Sequence, residues 1–334
     1  MAGMLDLPNE LKVAEEFWDF LGGTGAYENL LNIFEQVGLE LREEIDEYFK
    51  STGAEANENA LKVASFHTGK SRIIAFQKSF HGRTSAAVSV TDNSAINAPI
   101  NQHNPVTFLP LNDPQKLDTE LAKGDVAGVI IEAIQGVGGL DEPTTEFYKH
   151  LEKSCKKNGA MLIADEVQAG YGRTGDFFAF QKHGVAPNMV TVAKGMGNGF
   201  PIAGVLINEK IPAKYGMLGT TFGGNHLACA AAIAVLEVME KENLRGHTQK
   251  MEAYFLSKIK EIKGVEKIKG RGLMLGVSFD FEVAPLRKKL IYDYGIFTGG
   301  ATDKKLLRIL PPLNISPLEI DAFTGSLKNA LQKI

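Results

Sequence analysis

The run Ala164-Asp165-Glu166-Val167-Gln168-Ala169-Gly170-Tyr171-Gly172-Arg173-Thr174-Gly175 sets an acid at the end of an apolar stretch and follows it with glycines. Further on, Thr191-Val192-Ala193-Lys194-Gly195-Met196-Gly197-Asn198-Gly199-Phe200 ends a second apolar stretch with a lysine, again before glycines. Short segments rich in Val and Ile that stop at polar, glycine-rich loops read as buried parallel strands, and ligands gather outside their C-terminal ends. The same grammar predicts strands over 72–76, 126–134, 160–165, 189–193 and 202–207. Between two of them, residues 144–158 carry Phe147, Leu151 and Cys155 at four-residue spacing, with Gly159 as the stop. That is a helix, and the unit is βαβ.

A long helix is expected over 227–242. From about 249 the pattern changes to helix, strand (265–279), helix (285–294), strand (306–309) and helix (318–332). The fold class is therefore α/β, with a mostly parallel central sheet flanked by helices and a smaller C-terminal α/β domain. The expected division is 1–50, 51–248 for the large domain and 249–334 for the small one. Residues 1–50 stand apart by charge, with twelve acids against three bases in a chain whose net charge is −4. Their apolar residues recur at three-to-four spacing, which predicts acidic amphipathic helices.

Composition narrows the partners. An apolar share of 44% and a charged share of 23% suit a globular protein, and the net −4 does not favour nucleic acid or an anionic membrane. No apolar run reaches membrane-spanning length. The N-terminal residues have neither a basic flank nor an apolar stretch, so no signal peptide is expected. Cys155 and Cys229 form no CxxC pair and read as small core residues of a reduced, cytoplasmic protein.

Several segments could carry chemistry, and each has a plainer reading. Ser51-Thr52-Gly53-Ala54-Glu55 opens a helix, where Thr52 and Glu55 make a capping box and Gly53 lets backbone amides approach an anion. It could equally be an ordinary cap. Ser79-Phe80-His81-Gly82-Arg83-Thr84 offers an aromatic face and a carboxylate-binding arginine, or only a core Phe and a solvated Arg. Glu132, Asp165 and Glu166 each end a buried strand, where an unpaired carboxylate is costly; the plainer reading is a structural ion pair. Thr220-Thr221-Phe222-Gly223 supplies hydroxyls to a phosphate or merely starts a helix, and His226 reads as a packed or capping residue. Arg308 is a lone charge in an apolar run and faces either solvent or a cleft. An acid at Asp165 and an amine at Lys194, each delivered by a strand end into one cleft, is the pair that pyridoxal 5'-phosphate (PLP) requires. The lysine forms a Schiff base with the aldehyde, and the acid keeps the pyridine nitrogen protonated.

From residue 51 to the end, these motifs resemble the class-III aminotransferases, which are fold-type-I PLP enzymes, and within them the N-acetylornithine and N-succinylornithine aminotransferases. The resemblance implies that Lys194 holds the cofactor and then moves the proton of the 1,3-shift, while Asp165 pairs with the ring nitrogen. It implies that Gln168 approaches the ring hydroxyl, that Phe80 and Val167 cover the two ring faces, and that Thr52, Gly53 and Ala54 hold the phosphate with Thr221 of a partner subunit. Arg83 and Arg308 are implied to bind substrate carboxylates. Val137 departs from the pattern, since many relatives carry a glutamate there that pairs with the arginine matching Arg308. The nearest resemblance is to a bacterial subgroup expected to share the valine and to favour succinylated ornithine. Residues 1–50 do not follow the family, and faintly resemble the C-terminal tail of some type II restriction endonucleases.

The resulting expectation is a cytoplasmic, homodimeric transaminase that moves the terminal amino group of an N-acylated ornithine to 2-oxoglutarate in arginine biosynthesis. The acyl group, acetyl or succinyl, stays open. The alternative is a truncated or fused relative that keeps the PLP pocket with little or no turnover. A decarboxylase or racemase fits Arg83 and Arg308 less well, and a nuclease role conflicts with the acidic N-terminal stretch and its lack of a metal-carboxylate motif.

Overall fold

The computed structural model of the chain describes residues 48–50, 52–212 and 214–333, so the helices expected within 1–47 lie outside the described residues. In chain order the first sheet takes β1 (Tyr48–Lys50), β2 (Arg72–Phe76), β3 (Val106–Leu109), β4 (Val126–Glu132), β5 (Met161–Asp165), β6 (Met189–Val192) and β7 (Ala203–Ile207). Their spatial order is β1-β7-β6-β5-β4-β2-β3. β3, β2, β4, β5 and β6 are mutually parallel, whereas β7 runs antiparallel to β6 and β1 antiparallel to β7.

Two sequence expectations are corrected here. The strand at 202–207 is antiparallel, not parallel. The connection before it contains only a short 3-10 turn, Lys194–Met196, and a parallel return needs a crossover of roughly a dozen residues or more. Residues 48–50, expected to end an acidic helix, form the edge strand β1 beside β7.

The helices are α1 (Gly53–Thr68), α2 (Ser85–Ser89), α3 (Pro114–Leu121), α4 (Thr145–Asn158), α5 (His226–Lys241), α6 (Leu244–Ile259), α7 (Ala284–Tyr294) and α8 (Pro317–Leu331). Every residue of β4 is buried, because helices cover both faces of the sheet. On one face α1 turns Ala56, Ala60, Leu61 and Ala64 onto Ala127, Ile130 and Ile163. The alanines allow close approach, and a Cβ at Gly128 would sit only 3.3 Å from that of Ala64. On the other face α4 packs Phe147, Leu151 and Cys155 against Val129, Ile131 and Leu162. Each fully buried aliphatic or aromatic side chain of this kind contributes about 1.5–3 kcal/mol of transfer free energy. Cys229, on α5, is likewise buried.

The second sheet holds β8 (Lys267–Arg271), β9 (Met274–Ser278) and β10 (Leu306–Ile309) in the order β10-β9-β8, all antiparallel. The single strand expected over 265–279 is thus a hairpin. Its turn is Gly272, with φ of +59°, where a Cβ would meet the Thr174 backbone at 2.5 Å. Residues from α6, α7 and α8 close a separate core over this sheet, among them Phe255, Leu286 and Leu327. The boundary expected at 248/249 falls inside α6. Leu244, at its start, belongs to the core of the first sheet, and Met251, Phe255 and Ile259 belong to that of the second.

Candidate active site

Parallel pairing brings three polar side chains to one edge. Glu132 on β4 stands opposite Asp165 on β5, and Asp165 opposite Thr191 on β6. These are strand C-terminal ends, and the loops that follow enclose a cavity of about 810 Å³. Thr52, Gly53, Ala54, Phe80, Arg83, Asp165, Val167, Gln168 and Lys194 all line it. The sequence motifs that supplied them are thereby brought together.

Asp165 is held from three directions. His81 Nδ1 and Asn57 Nδ2 each approach its Oδ2 at 2.7 Å, and the Val167 amide donates to its Oδ1 at 3.0 Å. Asn57 Nδ2 also donates to the His81 carbonyl at 2.7 Å, and Thr191 Oγ1 donates to Asn57 Oδ1 at 2.6 Å. Since a carboxylate only accepts, His81 must carry its proton on Nδ1. Its Nε2 is buried with no partner among the described residues. The carboxylate is thus fixed in orientation at the floor of the cavity.

Among the described residues Glu132 and Glu166 are not in the ion pairs that the plainer sequence reading supposed. Glu132 accepts the Phe80 and Gly136 amides at 2.9 Å each, so it pins the loop that presents the Phe80 ring. Glu166 accepts the amides of Ala179 and Phe180, also at 2.9 Å. Burial pushes Glu132 up to about 7 and Glu166 up to about 8.

At one end of the cavity α1 begins with the capping box that the sequence predicts. Thr52 Oγ1 accepts the Glu55 amide, and the Glu55 carboxylate accepts the Thr52 amide. The first-turn amides of a helix have no partner within it and form an anion site. Gly53 is required there because a Cβ would sit 2.6 Å from Val167 Cγ1. Gly82, with φ of +137°, leaves room for Ala54 on the other side, where a Cβ would sit 2.5 Å from that of Ala54.

Lys194 follows β6 in the left-handed region, with φ of +48°. Such a conformation is uncommon for a residue other than glycine and costs on the order of 1 kcal/mol, a strain that clusters at functional sites. Gln168 lies across Gly136, where any Cβ would overlap its Oε1. Arg308 stands behind Gln168 rather than in the cavity wall. Its Nη1 donates to the Gly136 carbonyl at 2.6 Å and to Gln168 Oε1 at 3.4 Å. No carboxylate pairs with it among the described residues, in keeping with Val137 at the position where many relatives carry an acid. Thr221 is exposed and does not line this cavity. His226 is the first residue of α5, whose cap is Asn225.

Asn57, His81 and Thr191 are functional candidates that the sequence reading passed over. Asn57 could have been found as the one amide on the buried, alanine-rich face of α1. His81 stood inside a quoted motif whose Phe and Arg took the attention.

The residues fit PLP. An anion cradle, a positioned carboxylate, a lysine amine and apolar cover from Phe80 and Val167 match its phosphate, ring nitrogen, aldehyde and ring. No helix among the described residues is long and apolar enough to cross a membrane.

Comparisons with known proteins agree. The sequence profile described as aminotransferase class-III matches residues 15–331, a span that takes in most of the stretch set apart at 1–50. The acetylornithine aminotransferase of Listeria innocua is 40% identical over 295 residues, covering 86% of this chain and 76% of the relative. That of Bacillus subtilis is 38% identical over 290 residues, covering 85% and 75%. Among solved structures, the ornithine aminotransferase of Toxoplasma gondii superposes with a TM-score of 0.83 at 27% identity, over 92% of this chain and 76% of that one.

Proposed function

This chain belongs to the class-III aminotransferases, PLP enzymes that transfer amino groups, and on that premise we propose that it moves the terminal amino group of an N-acylated ornithine to 2-oxoglutarate in arginine biosynthesis. The observation that carries the reading is the single cavity lined by Lys194, Asp165, the α1 cradle and Arg83. When bound, PLP supplies an electrophilic aldehyde and a ring that accepts electrons.

The chain's own residues then have distinct tasks. The Thr52 hydroxyl and the Gly53 and Ala54 amides would hold the phosphate. Asp165, oriented by Asn57 and His81, keeps a proton on the ring nitrogen. Gln168 would be the donor for the ring hydroxyl, and Phe80 and Val167 would supply apolar cover for the ring. Lys194 Nζ would anchor the cofactor and, once free, would be the base that takes up and returns the substrate's proton. Arg83 receives a substrate carboxylate. Arg308, reached through Gln168, receives the α-carboxylate of the amino acid and oxo acid.

The proposed division is a large domain over 51–248 and a small one over 249–334. The proposed assembly is a cytoplasmic homodimer in which Thr221 of the partner subunit completes the phosphate site. In support, Thr221 lies on a projecting loop with the exposed side chains of Tyr215 and Phe222.

A panel of amine donors with 2-oxoglutarate tests the reading, with glutamate as the measured product. N-acetyl- or N-succinyl-L-ornithine should turn over faster than free ornithine, and Lys194→Ala should abolish both turnover and covalent cofactor attachment. Turnover of free ornithine alone would overturn the acyl-donor assignment. A Lys194→Ala protein that still binds the cofactor covalently would overturn the role of the lysine.

A further inference from the structure

Arg308 is framed by residues 298–302, the segment that leads from α7 toward β10. Gly299 pairs with the Arg308 backbone in both directions. Its amide donates to the Arg308 carbonyl at 2.8 Å, and its carbonyl accepts the Arg308 amide at 3.1 Å. One end of the segment is tied to the loop that carries Gly136, since the Thr302 amide donates to the Val137 carbonyl at 2.9 Å. The other end is tied to α7, where Arg287 Nη2 donates to the Thr298 carbonyl at 3.0 Å.

Two adjacent glycines let two guanidiniums crowd this segment. A Cβ on Gly299 would stand 2.9 Å from Arg308 Nε, and one on Gly300 would stand 2.9 Å from Arg287 Nη1. Neither arginine has a carboxylate partner among the described residues. The Nε of each is buried without a hydrogen-bond partner among those residues, and so is Thr298 Oγ1. Burial, and after it the charge of Arg287, holds Arg308 below the usual guanidinium range; Glu132 pulls the other way by less.

Two arginines elsewhere give the contrast. Arg72 pairs with Glu120 and Asp125, and Arg271 with Glu142 and Asp176. Each is neutralised by two acids and serves the fold. Arg287 is also poorly placed to serve its own helix. It is the fourth residue of α7, whose opening turn holds no acid. A cation there meets the positive end of the helix dipole. Like charges drawn partly out of water without a counter-ion are unfavourable, and a carboxylate is the group that relieves them. Arg287 does not line the active-site cavity, so it acts on a carboxylate there through Arg308.

We propose that Arg287 is a positioning residue for the substrate carboxylate. It fixes the 298–300 segment against Arg308 and adds a second positive charge beside it, so that amino acid and oxo acid are drawn to a pair of arginines. The inference rests on the reading of Arg308 given above and adds to it a residue from another element. Arg308 supplies the contact. Arg287 sets where that contact stands and how strongly it attracts.

The test follows the half-reaction of glutamate with the PLP-loaded protein by stopped-flow absorbance, which gives an apparent Kd and a limiting rate. It compares the wild type with Arg287→Gln, Arg287→Lys, Arg308→Gln and the double variant. Arg287→Gln should raise the apparent Kd by about three- to tenfold, the size of a partly screened charge interaction, and leave the limiting rate within about twofold. Arg287→Lys keeps the charge and should recover most of the affinity. The salt dependence of the apparent Kd should flatten in Arg287→Gln and persist in Arg287→Lys. In the Arg308→Gln background, Arg287→Gln should change the apparent Kd by less than about twofold, because its effect passes through Arg308. An arginine that only supports the fold would act equally in both backgrounds and leave the salt dependence unchanged. That result, or an unchanged apparent Kd in Arg287→Gln, overturns the proposal. If Arg287→Gln does not fold, Arg287→Met decides by the same cycle. Wild-type affinity in Arg308→Gln would overturn the reading of Arg308 and this proposal with it, whereas a loss in Arg308→Gln with none in Arg287→Gln overturns the proposal alone.

Discussion

Replacing Asn57 by alanine should show how far one amide organises the cavity floor. Asn57 makes one hydrogen bond to a carboxylate, Asp165, and two between uncharged groups, to the His81 carbonyl and from Thr191. Bonds to charged groups are worth about 1.5–3 kcal/mol and neutral ones about 0.5–1.5 kcal/mol, so the three together bracket about 2.5–6 kcal/mol. Bonds that share one side chain are not additive, and alanine favours a helix by about half a kcal/mol over asparagine. A net loss of about 3 kcal/mol is expected, measured as a shift of the urea midpoint at unchanged slope. The deletion also leaves Asp165 Oδ2 held by His81 alone, so cofactor affinity should fall as well. A double-mutant cycle with Asp165→Asn should give a coupling of at least about 1 kcal/mol. A stability loss under about 1 kcal/mol together with zero coupling would refute the idea that Asn57 holds the carboxylate.

Other outcomes are expected. Asp165→Asn should still bind PLP but lose about a hundredfold or more in kcat, since an amide does not stabilise a protonated ring nitrogen; near-normal turnover would make Asp165 a structural acid. Gly136→Ala should displace Gln168 and loosen Arg308, raising KM for glutamate and 2-oxoglutarate more than it lowers kcat, and steady-state kinetics would show the split. Glu132 and Glu166 have folded values of about 7 and about 8, above their ordinary 4.5. An acid raised in the folded state stabilises fully below its unfolded pKa and loses that contribution as pH climbs through the folded value. Urea midpoints should therefore fall between about pH 5 and about pH 8, and a midpoint that rises over that window would contradict the burial of these two carboxyls.

The strand ends were legible because buried parallel strands leave few alternatives for their composition. Asp165 and Lys194 stood out as charges closing apolar runs, and the capping box at Thr52 and Glu55 is a local pattern that needs no tertiary context. The hairpin at 267–278 was read as one strand because its two-residue turn, Gly272-Leu273, ends in an apolar residue and carries no Asn, Asp or Pro to mark it. β3 and α3 went unseen because each is short, and α3 starts at Pro114 behind an Asp113 cap whose signal is easily taken for a loop. The direction of β7 depends on connection length rather than composition. The partners of Asp165 were invisible for another reason. Asn57, His81 and Thr191 are scattered along the chain and meet only once α1 docks on the sheet. Arg308 illustrates the opposite case: its charge was conspicuous, but its station behind Gln168 follows from the path of Gly136, which sequence spacing does not encode.

The helix α6 has a mechanical consequence. One rigid rod is planted in both cores, with Leu244 in the first and Met251, Phe255 and Ile259 in the second. Asn243, just ahead of it, sits at φ of +47° and caps it through the Gly246 amide. A helix resists bending far more than a loop does, so the second sheet cannot drift freely on a tether. The second sheet also sends Met274 and Leu306 into the larger core, so any swing of that sheet toward the cavity disturbs that core as well as the joint at Asn243 and Leu244. The two halves should accordingly melt as one cooperative unit.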